Sequence, residues 1–246
     1  MSGTHASLLT ESIRDMNSQG GRLVVICGID GSGKTVQAGA LADRARQAGQ
    51  KVKTIEFPRY EEGFFSRVIM RYLRGDYTKD ASHVDPYMAA LPFACDRWEA
   101  AEQLRKWLED GALVICNRYV PSNLAHQGGK LESKSDREEF FEWVLRLEYE
   151  IFGVPRPDLH VWLDMPPRIA CRLMASEEDR RQISSDEDIH ERSIRHLEST
   201  RAAYAELAAR AENWRVVSCA QGDDPRPVQE ITDEAWSALR EVLAWD

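Results

Sequence analysis

An α/β fold, with a mainly parallel sheet covered by helices on both faces, is what this chain's pattern calls for. Three features carry the expectation. Short β-rich runs alternate with longer helical patterns. The runs are apolar at almost every position, as strands buried on both faces are. No repeat and no Pro/Gly/Ser-rich linker breaks the alternation. Strands separated by helices imply right-handed crossovers and therefore parallel pairing.

The strands read, in order, as "RLVVIC" (22–27), "KVKTIEF" (51–57), "ALVIC" (112–116), "DLHVWLD" (158–164) and "WRVVSC" (214–219). Helical stretches lie near 34–49, 63–74, 84–109, 121–152, 166–175, 187–211 and 227–243. The expected organisation is a mobile N-terminal tail over 1–20 and one domain over 21–246. Within the third helix stands Pro92. Its ring clashes with the Met88 carbonyl and removes one ladder hydrogen bond, so a kink is expected there.

The 246 residues suffice for one generous domain, with ordinary hydrophobic (43%) and charged (30%) content. A net charge of −9 argues against a general nucleic-acid surface but not against a nucleotide pocket, because local charge decides that. The longest apolar runs are strand-sized, so no membrane span is expected. The opening "MSGTHASLLTESIRDMNSQGG" lacks the apolar segment of a secretory signal. Five cysteines, with no CxxC pair, include Cys27, Cys116 and Cys219 in strand-like runs. They read as buried free thiols in a reducing cytoplasm, not as a disulfide framework or zinc site.

Ligands on such sheets bind at the carboxyl ends of the strands. After the first strand comes "GIDGSGKT", in which Gly28, Gly33, Lys34 and Thr35 fit G-x-x-x-x-G-K-[ST]. Glycines let backbone N–H groups curl around phosphate, Lys34 adds a point charge, and Thr35 offers a hydroxyl to Mg²⁺. Gly31, Ser32 and Val36 complete the expected ATP-binding stretch, and the following helix directs its positive end at the same anion. An accidental glycine-rich turn is the alternative. The strand before the motif and the helix after it weigh against that.

"GIDGSGKTVQ", "FPRY" (57–60), "FACDRWE" (93–99) and "NRYVPSN" (117–123) together resemble the thymidylate kinases, and "VPRPDLHVWLDMPP" (154–167) and "DIHER" (188–192) extend the likeness. The resemblance implies a P-loop kinase fold with a five-stranded parallel sheet and a small arginine-bearing lid. It further implies transfer of the ATP γ-phosphoryl group to deoxythymidine monophosphate, Mg²⁺ dependence and a homodimer. Within it, Phe57, Pro58, Arg59 and Tyr60 belong to the substrate site. Arg59 and Arg118 would hold the acceptor monophosphate, a task suited to the guanidinium fork. Asp30 would meet the sugar 3′-hydroxyl and help order the metal.

Phe93 and Arg97 stand four apart and so share a helix face. In the family these positions stack on thymine and contact its exocyclic oxygen. Alternatively Phe93 is core and Arg97 pairs with a surface carboxylate. Asn123 matches an amide that reads the thymine edge, or else it serves as a helix cap, a role open to Ser122 too. His126 falls where members often carry an aromatic against the sugar's 2′ side.

Two departures concern charge. The family usually has Asp-Arg at 117–118, and here it is Asn117-Arg118. Either Asp30 and Asp164 supply the charge that holds the metal, or metal use is weakened. Some members carry an arginine in the phosphate loop, where this chain has Gly31. The lid segment "CRLMASEEDRRQISSDED" would compensate through Arg172, Arg180 or Arg181, unless it is a solvated mixed-charge loop. Segment 130–141 is longer than in compact members, with no assignable role. Kinases of another pyrimidine monophosphate or of a nucleoside, and a nucleotide-binding protein without turnover, remain as alternatives.

Overall fold

The computed structural model describes residues 20–60, 63–77, 84–175 and 187–243. The expected tail lies outside these residues except for residue 20, and Arg180 and Arg181 lie outside them entirely. In chain order the elements are β1 (Arg22–Cys27), α1 (Lys34–Gln47), β2 (Val52–Glu56), α2 (Ser66–Leu73), α3 (Pro86–Glu109), β3 (Leu113–Asn117) and α4 (Val120–Gly128). Then follow α5 (Lys134–Leu145), a π-helical stretch (Arg146–Ile151), β4 (Leu159–Asp164), α6 (Pro167–Met174), α7 (Glu187–Ala208), β5 (Trp214–Ser218) and α8 (Val228–Leu243). Between β5 and α8 a small hairpin pairs β6 (Ala220–Gln221) with β7 (Asp224–Pro225).

The five main strands form one sheet in the order β2-β3-β1-β4-β5, and every pairing is parallel. Side chains of a strand alternate between faces, yet Leu23 through Cys27 are all 0% exposed. Both faces of the central strand are therefore covered. The chain leaves β1 for neighbours on both sides, β3 and β4. Such a reversal opens a crevice at the carboxyl ends of the strands.

One expectation is corrected. The helix foreseen over 121–152 is three pieces: α4, α5 and the π-helical stretch. Chain leaves α4 at Gly128-Gly129 and re-enters helix at Ser133, whose Oγ accepts from the Asp136 N–H (3.3 Å). Segment 130–141, left without a role, contributes Phe140 and Phe141 to the core at 0% exposure. Helix α3 is continuous through Pro92, where the Met88 carbonyl necessarily lacks its ladder donor. Helix α3 starts firmly. Asp85 caps it, accepting from Tyr87 N (2.9 Å) and Met88 N (3.1 Å), with Pro86 in the first turn.

Candidate active site

The phosphate loop leaves β1 through Gly28 (φ 147°) and Gly31 (φ 76°), conformations that residues with a Cβ rarely adopt. A Cβ on Gly31 would stand 2.6 Å from the Ala170 carbonyl of α6. Position 31 is thus sealed against any larger side chain, which is why this loop can carry no arginine there. Gly33 precedes α1 without any side-chain cap, so the first N–H groups of the helix are left to an anion. Lys34 is buried and donates to the Ile29 carbonyl (2.7 Å), with Asp30 4.0 Å away. Burial and the nearby Arg118 push its ammonium down to about 7, against the pull of Asp30. Ser32 Oγ is buried without a protein partner, and Val36 is exposed in the first turn of α1.

At the end of β3, Arg118 takes a left-handed backbone (φ 63°) while its N–H still bonds the Ile26 carbonyl (2.9 Å). The turn sends its guanidinium across to the phosphate loop, where Nη2 donates to Asp30. Nη1 lies 3.1 Å from His126 Nε2, which must then be the acceptor and hence unprotonated. Burial, with Arg118 beside it, pushes the His126 imidazole down to about 3. Burial alone would raise the Asp30 carboxyl, but the charges of Arg118 and Lys34 hold it well below the usual carboxylate range.

Following β2, the Phe57–Pro58 bond is cis. Phe57, expected at the substrate, is instead a core side chain at 1% exposure, tilted against Tyr119 (5.7 Å between ring centres). Arg59 is held by Asp96 of α3 through Nε (3.0 Å) and by Glu99 (3.0 Å). Half-exposed Tyr60 feels the charges of Arg118, Asp30 and Glu56, which places the "PRY" stretch at the same cluster.

Arg97 does pair with a carboxylate, but with buried Glu148 and not with the surface one the alternative held. Nε and Nη2 bind Glu148 at 2.5 and 2.7 Å, leaving Nη1 without a protein acceptor among the described residues. Glu148 lies in the π-helical stretch, a distortion that often marks functional positions. Asn123 Nδ2 donates to Glu148 (3.1 Å) and to the Ala90 carbonyl (3.1 Å). Its Oδ1 is buried and unpartnered. Asn123 is therefore not a helix cap. Phe93 meets Tyr72 edge to face (6.0 Å), and Tyr72 accepts from Lys130 (2.8 Å). Glu148 and Asp96, which orient Arg97 and Arg59, are the residues the sequence reading passed over.

Asp164, expected at the metal, is engaged by a guanidinium: its two oxygens take Arg201 at 2.5 and 2.9 Å. The Arg201 fork takes one lone pair on each oxygen and offsets the carboxylate's charge. Arg172 donates to the Asp223 carbonyl on the hairpin. At the strand ends, Asn117 Nδ2 donates to Thr35 Oγ1 (3.1 Å) and to Glu56 (2.9 Å), while its Oδ1 is buried and unpartnered.

Comparison with known proteins gives the chain's relatives. The family model described as thymidylate kinase matches residues 26–230. A thymidylate kinase of Mycobacterium tuberculosis is 33% identical over 201 residues, covering 79% of this chain and 90% of its own length. A probable thymidylate kinase of Pyrococcus abyssi is 31% identical over 224 residues, covering 91% and 98%. The thymidylate kinase of Schizosaccharomyces pombe is 29% identical over 170 residues, covering 69% and 73%.

Proposed function

The chain belongs to the thymidylate kinase family, phosphotransferases that use ATP and act on dTMP, and we propose that its acceptor is read by Asn123 and Arg97. The observation that carries this reading is the Asn123 amide. Glu148 and the Ala90 carbonyl claim its Nδ2, so the buried, unpartnered Oδ1 is an acceptor awaiting a donor. Thymine N3 carries a hydrogen and fits; cytosine N3 carries a lone pair and does not. The free Nη1 of Arg97 supplies the donor for the adjacent carbonyl, and Phe93 the stacking face.

Arg59 and Arg118 take the acceptor phosphate, both pre-oriented by carboxylates. On sugar binding, Asp30 accepts from the 3′-hydroxyl, and neutral His126 lies against the 2′ side. Lys34, Ser32 and the uncapped start of α1, including Val36, hold the ATP phosphates. An acceptor phosphate oxygen then attacks the γ-phosphorus in line and ADP leaves, with no covalent enzyme intermediate. The residues contribute position and charge. Mg²⁺, a cation that prefers oxygen ligands, fits the Thr35 hydroxyl, Asp30 and the unpartnered Asn117 Oδ1. When bound it would neutralise phosphate charge in the site.

Because Gly31 admits no side chain, the positive charge on the transferring group is assigned to Arg180 and Arg181 of the lid. Replacing both with alanine is expected to lower kcat about 10³-fold with little change in the KM for dTMP. A near-normal kcat refutes the assignment. Exposed Met88, Trp98 and Ile151 offer apolar surface for a homodimer, and the free cysteines fit a cytoplasmic location. The central test is an ATP-coupled assay over dTMP, dUMP, dCMP, purine monophosphates and thymidine. The expected result is the highest kcat/KM with dTMP and a low one with dCMP. Faster turnover of dCMP or of the nucleoside overturns the reading.

A further inference from the structure

At the carboxyl end of the β2–β3 pair, Glu56 and Asn117 stand opposite each other in register. The Asn117 amide ties three things together. Its Nδ2 donates to Glu56 Oε1 at 2.9 Å and to Thr35 Oγ1 at 3.1 Å, and its Oδ1 is buried with no protein partner. Asn117 is 5% exposed, whereas Glu56 is open to solvent. Thr35 belongs to the phosphate loop, so the amide links the Glu56 carboxylate to the phosphate site. The carboxylate's field reaches Lys34 and Tyr60 in that same site.

We propose that Glu56 supplies the negative charge of the cation-holding edge, with Asn117 as the positioning residue that keeps its carboxylate beside the Thr35 hydroxyl. The charge at the strand ends is moved one strand outward. It sits on β2 rather than β3, and the neutral amide at 117 is what makes the neighbouring carboxylate tolerable. Two carboxylates at this separation would repel, and one would be driven to take up a proton. An amide instead donates to its neighbour. Strand β2 is an edge of the sheet, where a charged residue also discourages pairing with other chains. That simpler role needs no link to Thr35, and it predicts no effect on metal binding.

The inference rests on the kinase reading above, but its test does not use turnover. Mn²⁺ binding to the complex of the protein with ADP is measured by electron paramagnetic resonance of the free ion. The proteins compared are the wild type, Glu56→Gln, Asn117→Asp and the double variant. Glu56→Gln is expected to weaken Mn²⁺ binding about tenfold, the order expected for losing one solvent-screened charge near a divalent ion. Binding of ADP in excess chelator should be unchanged or slightly tighter. Adding Asn117→Asp to Glu56→Gln should restore most of the Mn²⁺ affinity, because the carboxylate returns on the adjacent strand. Unchanged Mn²⁺ affinity in Glu56→Gln overturns the proposal. So does an equal fall in ADP binding with and without metal, or failure of the double variant to recover while it remains folded by circular dichroism. The kinase reading stands or falls separately, on dTMP turnover by the wild type.

Discussion

Arg97 and Glu148 lie 51 residues apart in sequence and meet with side chains only 3% and 0% exposed. Burying two charges is tolerable because each satisfies the other, and Asn123 takes a further lone pair of the carboxylate. Arg97 is therefore a structural ion as well as the proposed base reader. Arg97→Ala leaves Glu148 buried without its counter-charge and should cost about 3–5 kcal/mol in urea unfolding. Replacing the pair together, Arg97→Met with Glu148→Leu, should recover most of that stability while dTMP turnover stays low. A double variant as unstable as the single one would show that the loss is one of packing. This is also the scale at which the sequence is least legible. Lys34, Thr35 and Arg118 announce themselves by motif, because their spacing is local. Glu148, Asp96 and Glu56 do not, because each acts through a partner on another element. Phe57 misleads for the same reason: its neighbours Arg59 and Tyr60 reach the site, while its own ring turns inward onto Tyr119.

Elements were far more legible. All five strand expectations fall within one residue of the strands found at each end, since near-continuous apolarity bounded by polar residues survives any tertiary context. The fused helix over 121–152 is the instructive miss. Apolar periodicity runs through the region, but Gly128-Gly129 and the Ser133 cap divide it. The cap was visible as Ser133 three residues before Asp136. Element ends also carry measurable energy. Asp85→Ala removes the acceptor of two N–H groups at the start of α3 and should lower stability by about 1 kcal/mol. The phosphate loop's constraint is sharper. Gly31→Ala forces a Cβ into a left-handed backbone and against the Ala170 carbonyl at 2.6 Å. Thermal unfolding should show a loss of more than about 1 kcal/mol, and ADP affinity should fall with it. A neutral substitution would mean that α6 yields to the new side chain.

On the scale of the whole molecule, the sheet that carries the site also sets how the protein responds to acid. His160 sits in β4, 6% exposed, with its ring stacked on Trp214 (4.7 Å) and its Nδ1 buried without a partner. Burial pushes its imidazole down to about 3. In the unfolded chain the same group titrates near 6.5, so between those values the unfolded state binds the extra proton and the folded state does not. Stability from this residue is therefore complete above pH ~6.5 and is lost progressively as the pH falls toward 3. His126 behaves in the same direction, but it touches Arg118 in the candidate site, so altering it would confound folding with function. His160 is the cleaner probe. His160→Leu keeps an apolar side chain in the strand and removes the titration. Denaturant unfolding from pH 7.5 to 4 should give the variant a shallower loss of stability than the wild type. For one fully buried imidazole the difference approaches about 1.4 kcal/mol per pH unit well below 6.5. Parallel curves for the two proteins would mean that the His160 imidazole is protonated within the fold, and that the acid response belongs to other groups.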